Sequence, residues 1–113
     1  MSDDIQIREM PGTWVVRAGG AVLGETRKAL ELRDGSLPPV VYFPRADLAM
    51  AMLDPSPTRS TRPEIGEAVY FSIQAKSGPI RDAGWSYEAP RDAASAIAGH
   101  IAFVADKATV EEV

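Results

Sequence analysis

The sequence predicts a mainly β fold in one small domain, with one or two short helices. The chain has 113 residues, close to the commonest size of a single domain. Its nine glycines and nine prolines fall between short apolar segments, which favours strands and turns over long helices. The clearest strand pattern covers 67–75, where residues 69, 71, 73 and 75 point to one face and residues 68, 70, 72 and 74 to the other.

The remaining elements follow from the same alternation and from the turn residues. Strands are predicted at 14–17, 21–24, 26–33, 40–43, 80–81, 85–87 and 100–105. Pro44 precedes a predicted helix over 45–53, and the alanine-rich segment 91–99 predicts one or two helical turns that end at Gly99. The segment Asp54–Pro63 contains three prolines and predicts a loop long enough to cover a site. We find no linker, so residues 1–113 form one domain with a core at about 12–106 and ends that are expected to fray.

Composition excludes several classes of function. The chain has 12 basic and 16 acidic residues and a net charge of −4, whereas nucleic-acid binders normally show a basic face. It has no cysteine, so disulfides, thiolate nucleophiles and cysteine-ligated zinc are excluded, and no metal or cofactor is predicted. The amino terminus lacks a signal-peptide pattern, and no apolar run approaches the ~20 residues of a membrane helix. We therefore expect a soluble cytoplasmic protein with no nucleic-acid or membrane partner.

Five ordered segments resemble one known family. They read V-V-Y-F-P-R-A-D-L at 40–48, L-D-P-S at 53–56, G-E-A-V-Y-F at 66–71, A-G-W-S-Y-E-A-P at 83–90 and I-A-G-H-I-A-F at 97–103. Their order and spacing resemble the bacterial domain of unknown function 427 family over residues from about 12 to about 106. The resemblance implies a β-tent-like fold of twisted antiparallel sheets and no established activity, although members have sometimes carried a nucleotidyltransferase label. The residues give that label no support, because the turn at 34–36 is not followed by paired carboxylates and no phosphate-binding glycine loop is present.

The chain departs from the family pattern just before the strand at 67–75. Members typically read Thr-x-Cys-Pro-x-Lys-Gly there, whereas the stretch in this chain is T-R-P-E-I-G. Arg62 stands at the cysteine position and Ile65 at the lysine position. Chemistry that depends on a thiol or an amine at these positions is therefore not available to this protein.

Arginines near the predicted strands are candidate anion ligands. Arg27 with Glu31 and Arg45 with Asp47 form two candidate polar clusters. An arginine side chain can hold a carboxylate or phosphate through two parallel hydrogen bonds. The alternatives are ordinary surface ion pairs and, for Asp47, a cap at the start of the predicted helix.

Aromatic residues with polar tips are candidate walls of a ligand pocket. Tyr42, Tyr70, Trp85 and Tyr87 have this character, and Tyr70 points away from the apolar face of its strand. The alternative interpretation places these rings in the core and at its rim.

The single histidine is the candidate catalytic group. His100 is the only residue of a type that changes charge near neutral pH, and it would act as a general base if Glu67 or Asp47 oriented it. The alternative is a structural histidine that is hydrogen-bonded within the fold.

Three functions remain open on this sequence. The first is a module that binds a small anionic ligand between Tyr42, Tyr70 and Trp85, with charge from Arg27, Arg45 and also Arg62. The second is an enzyme of unknown reaction that uses His100 with a carboxylate. The third is a protein-interaction domain that forms a homodimer.

Overall fold

The computed structural model describes residues 5–113 and places ten strands in three antiparallel sheets. The first sheet has the order β1-β4-β5, with β1 at Ile5–Glu9, β4 at Leu30–Asp34 and β5 at Val40–Tyr42. The second has the order β10-β2-β3, with β2 at Trp14–Ala18, β3 at Ala21–Thr26 and β10 at Thr109–Glu112. The third has the order β6-β7-β8-β9, with β6 at Leu53–Arg62, β7 at Gly66–Ala75, β8 at Gly78–Tyr87 and β9 at Ile101–Phe103. The predicted mainly β single domain is confirmed.

Backbone hydrogen bonds outside the ladders join the three sheets. Phe43 and Ile101 exchange two such bonds of 2.8 and 2.9 Å, which link the first sheet to the third. Gly24 in β3 forms a bridge with Leu48, which ties the second sheet to the segment after β5. A Cβ atom on Gly24 would lie 2.6 Å from the Asp47 carbonyl oxygen, so this approach requires glycine.

Side chains on the two faces of β7 pack into two different hydrophobic clusters. Phe71 and Ile73 pack in one cluster with Phe43 and Ile101. Ala68 faces the other cluster, and Tyr70 packs against it. Both faces of the central sheet are therefore covered, because each parity of the strand meets its own apolar partners.

The predicted loop at Asp54–Pro63 is wrong, because the structure forms strand β6 there. β6 pairs with β7 along its length, with an irregularity between Ser56 and Arg59. It lies at the edge of its sheet, where prolines are tolerated because one row of backbone groups needs no partner. Most of its residues are exposed on both faces, so no hydrophobic alternation marked the strand in the sequence.

The predicted helix over 45–53 is two separate 3₁₀ turns, at Arg45–Asp47 and Met50–Met52. Leu48 between them is extended, and the next backbone N–H, of Ala49, donates to the Leu23 carbonyl over 2.7 Å. The bridge to β3 therefore interrupts helical hydrogen bonding. The alanine-rich segment forms 3₁₀ turns over Asp92–Ile97, as the sequence indicated.

The alternating segment 26–33 is likewise not one strand. β3 ends at Thr26 and β4 starts at Leu30, so Arg27 and Lys28 lie in the connection between two different sheets. His100 directly precedes β9, which is shorter than the predicted strand 100–105. At the two ends of the described chain, β1 pairs with β4 and β10 with β2, although the sequence pattern indicated no strand in either place.

Candidate functional site

The four predicted aromatic residues line one cavity of about 250 Å³, together with one arginine. We name it the tyrosine cavity, and its lining includes Tyr42, Ser60, Arg62, Tyr70, Trp85 and Tyr87. The strands explain the grouping, because Tyr70 in β7 stands opposite Trp85 in β8. Arg62 ends the neighbouring strand β6.

Hydrogen bonds and ring contacts fix the walls of the tyrosine cavity. Trp85 Nε1 donates to the Tyr42 hydroxyl over 3.2 Å, and the two rings meet at 87° with centroids 6.3 Å apart. The Tyr70 hydroxyl is hydrogen-bonded to Ser60 Oγ over 2.9 Å.

Burial raises the pKa of the Tyr42 hydroxyl above its usual value, and the Trp85 hydrogen bond opposes part of that rise. Burial likewise raises the pKa of Tyr87, while the Arg62 guanidinium acts in the opposite direction. Both hydroxyls therefore keep their protons at neutral pH and can donate hydrogen bonds.

Arg62 supplies positive charge to the tyrosine cavity. Its Nη2 donates to the Asp34 carboxylate at the end of β4. The Arg62 side chain is 35% exposed and that of Asp34 is 15% exposed. Since a guanidinium has five N–H donors, one bond to Asp34 orients Arg62 and leaves further donors for a ligand.

Arg45, the predicted arginine in the segment F-P-R-A-D-L, does not line this cavity. Arg45 Nε donates to the Gly99 carbonyl over 2.6 Å, and Nη2 donates to Glu88 Oε2 over 2.8 Å. Nη2 also donates to Ser86 Oγ over 3.3 Å, and the guanidinium carbon lies 5.3 Å from the centroid of the Phe71 ring. Arg45 therefore ties the segment before β9 to β8.

Asp47 is likewise engaged within the fold, with a partner other than Arg45. Its Oδ2 accepts a hydrogen bond of 2.8 Å from Thr26 Oγ1, and it makes no side-chain cap on its turn. Thr26 is 2% exposed, and its Oγ1 also accepts from the backbone N–H of Lys28 over 2.9 Å. Asp47 thus fixes the connection between β3 and β4.

Arg27 and His100 line a second concavity, of about 630 Å³. We name it the basic groove, and its lining includes Glu9, Met10, Arg27, Lys28, Leu30 and His100. His100 Nδ1 lies 3.3 Å from the Ala98 carbonyl oxygen. Within residues 5–113 no carboxylate is ion-paired with His100, so the structure does not bring His100 together with Glu67 or Asp47. Glu67 is exposed on β7, opposite Thr61 of β6.

Two acidic residues have partners that the sequence did not predict: Glu31 was expected to pair with Arg27, and Asp82 was not a candidate. Glu31 is paired with Arg8 and Arg33, at 2.8 and 2.9 Å, and not with Arg27. These two hydrogen bonds hold the pKa of Glu31 below its usual range, although its side chain is only 6% exposed. Asp82 has a φ of 50° and accepts hydrogen bonds from Ser56 and Thr58, which lower its pKa. No local pattern marks Asp82, because its partners lie across the sheet on β6.

Two classes of feature are absent from the part of the chain that the structure describes. No group of three or more His, Asp or Glu side chains is placed so that it could hold a metal ion. No helix there has the length and apolar character needed to cross a membrane.

Comparison with known protein families identifies a match. The family model named NTP_transf_9, described as a domain of unknown function (DUF427), matches residues 6–113. No curated protein matches the chain. The matched region includes both concavities and every candidate residue discussed above.

Proposed function

Because the chain belongs to the DUF427 family, whose description assigns no activity, we propose a function from the geometry of the tyrosine cavity. The proposal is that this cavity binds a small monocarboxylate with an aromatic or apolar body. The observation that carries it is the meeting of Tyr42, Tyr70, Trp85 and Arg62 in one cavity. Ligand pockets commonly combine aromatic walls with a small number of placed polar groups.

The chemistry of the walls favours this ligand class. The half-buried Trp85 ring offers apolar surface to a planar ligand, and the buried Tyr42 ring supports it through an edge-to-face contact. The Arg62 guanidinium offers a charged donor to a carboxylate, and the protonated Tyr87 hydroxyl offers a neutral one. A volume of about 250 Å³ suits a compound smaller than a typical drug.

The test measures binding of benzoate and a panel of other aryl and alkyl monocarboxylates by titration calorimetry. Benzamide serves as the matched ligand, because it keeps the ring and removes the charge. We expect Arg62→Gln to weaken benzoate binding by about tenfold or more, since a hydrogen bond to a charged group is lost.

Arg59→Gln is the matched control variant. Arg59 lies on the same strand, but its guanidinium bonds the carbonyls of Ser56 and Thr58 and does not line the cavity. Equal affinity for benzoate and benzamide, or equal losses in both variants, would contradict recognition by Arg62. Failure of the whole panel to bind would overturn the proposed function.

A further inference from the structure

The basic groove gathers positive charge that the rest of the described fold does not use. Arg27 and Lys28 line it side by side, and within residues 5–113 neither is in an ion pair. Both are exposed, in a chain whose net charge is −4. Among the residues that the structure describes, one carboxylate, that of Glu9, shares the groove with three basic side chains. The concavity therefore has a local positive excess on an acidic protein.

The two segments that supply these side chains are held by one short motif. Arg45 bonds the Gly99 carbonyl, directly before His100. Asp47 bonds the hydroxyl of Thr26, directly before Arg27. The residues of F-P-R-A-D-L therefore position both walls of the groove without lining it themselves.

The orientation of His100 follows from its backbone contact. A carbonyl oxygen can only accept, so a hydrogen bond across the 3.3 Å contact with Ala98 uses the tautomer with the proton on Nδ1. Nε2 is then the nitrogen left to meet a ligand. It accepts a hydrogen bond when the ring is neutral and donates one when the ring is protonated.

We propose that the basic groove binds the phosphate group of a small molecule, or free phosphate, between Arg27, Lys28 and His100. Three terminal oxygens and a charge near −2 match three basic groups better than a single carboxylate does. The affinity rises when His100 is protonated, because Nε2 then becomes a charged donor. The charged groups that share the groove with the imidazole are Glu9, Arg27 and Lys28, and Arg45, which bonds the preceding Gly99 carbonyl, is ion-paired with Glu88. This site is separate from the tyrosine cavity and independent of the function proposed for it.

The first experiment uses the unmodified protein and its single histidine as reporter. Sulfate is the probe, because it stays doubly charged at the pH values where a phosphate monoester gains a proton near pH 6. We expect sulfate to shift the imidazole NMR signals and to bind about tenfold more tightly at about pH 5.5 than at about pH 8. Saturating sulfate should move the titration midpoint of the imidazole to higher pH, because the coupling is reciprocal. Signals that do not respond to sulfate at either pH overturn the proposal.

Inorganic phosphate and glycerol phosphate then distinguish the two sources of the group. The groove of about 630 Å³ has room beyond a phosphate group, so a tighter fit of glycerol phosphate indicates a phosphomonoester. Equal affinities indicate free phosphate. If inorganic phosphate and glycerol phosphate both bind more weakly than chloride does, recognition of a phosphate group is overturned.

Variants separate a specific site from general attraction. Arg27→Gln should weaken sulfate binding about tenfold. Lys76→Gln is the matched control, since it removes one positive charge from the turn between β7 and β8, away from the groove. His100→Gln should remove the pH dependence. Equal losses in Arg27→Gln and Lys76→Gln, or a pH dependence that survives in His100→Gln, overturn the proposal.

The role of Thr26 as a positioning residue is tested by rescue. Thr26→Val removes the hydroxyl that joins Asp47 to the Lys28 backbone, and should weaken sulfate binding. Thr26→Ser restores the hydroxyl and should restore binding. If Thr26→Ser binds as weakly as Thr26→Val while both melt as cooperatively as the parent, the positioning role is overturned.

Discussion

The indole Nε1 of Trp85 donates a hydrogen bond of 3.2 Å to the hydroxyl of Tyr42, and the two rings meet at 87°. Tyr42 belongs to β5 in the first sheet, whereas Trp85 belongs to β8 in the third. The pair therefore joins two sheets at the wall of the tyrosine cavity. Tyr42 is 2% exposed, so its hydroxyl depends on partners within the protein.

Tyr42→Phe should destabilise the protein by about 1 kcal/mol, because it removes the acceptor of the Trp85 N–H and keeps the ring. Tyr70→Phe is the matched control, since its hydroxyl bonds Ser60, which is exposed and can bind water instead. We expect a smaller loss there. Urea unfolding of both variants measures the difference. Equal losses would show that the Tyr42–Trp85 bond contributes nothing beyond ordinary hydroxyl solvation.

The ion pairs of Glu31 predict that the stability of the protein falls at acid pH. Hydrogen bonds from Arg8 and then Arg33 lower its folded-state pKa below the usual 4.5. The folded state therefore favours the ionised form, and this contribution to stability is complete above the unfolded-state pKa. It is lost as the pH falls through the lowered folded-state pKa.

Glu31→Gln removes that contribution and should cost about 1 kcal/mol at neutral pH, with a discount because both arginines are more than half exposed. The free energy of unfolding of the variant should approach that of the parent as the pH falls below 4.5. Urea unfolding at a series of pH values measures this convergence. A difference that stays constant with pH would show that the carboxylate is not the source of the effect.

The sequence predicted the interior strands well because their side chains alternate between two apolar environments. Residues of β7 show this directly, with Phe71 in one cluster and Ala68 in the other. β6 could not be predicted in this way, since an exposed edge strand needs no apolar face. Its pairing is set by β7, which the local sequence of β6 does not reveal.

The sequence identified candidate residues by their chemical type, but it did not predict their hydrogen-bond partners. The bond from Arg45 to Gly99 spans 54 positions, and that from Thr26 to Asp47 spans 21. Such contacts depend on sheet register and on the breaks at 27–29 and at Leu48, which hydrophobic periodicity does not determine. This is why the arginines predicted to share one pocket lie in separate places.

Ile65 offers a test of the departure from the family pattern. It stands where the pattern has lysine, and it is 0% exposed, within the cluster that contains Tyr42 and Tyr87. Ile65→Lys should lower the free energy of unfolding by about 3 kcal/mol or more, because an amine would be buried without a partner. Ile65→Val should cost only about 1 kcal/mol. Urea unfolding compares them, and a lysine variant as stable as the valine variant would show that the amine reaches solvent from this position.

The size of the tyrosine cavity and its neighbour predicts how carboxylate affinity changes with ligand length. A neighbouring cavity of about 500 Å³ shares Val40 and Trp85 with the tyrosine cavity. The other walls of this neighbouring cavity include Trp14, Phe103 and Val110. If the ligand body extends past Trp85 into this apolar space, each added methylene on benzoate should contribute up to about 0.8 kcal/mol, or about fourfold in affinity. Titration calorimetry of a para-alkylbenzoate series measures the increment.

Val110→Gln is the variant that locates the added methylenes. Val110 lines the neighbouring cavity and not the tyrosine cavity, so benzoate itself should bind the variant as tightly as it binds the parent. The longer ligands should lose their gain, because the apolar surface they would cover becomes polar. A series that is flat in the parent would confine the ligand to the tyrosine cavity. A gain that persists unchanged in Val110→Gln would place the alkyl chain outside the cavity that Val110 lines.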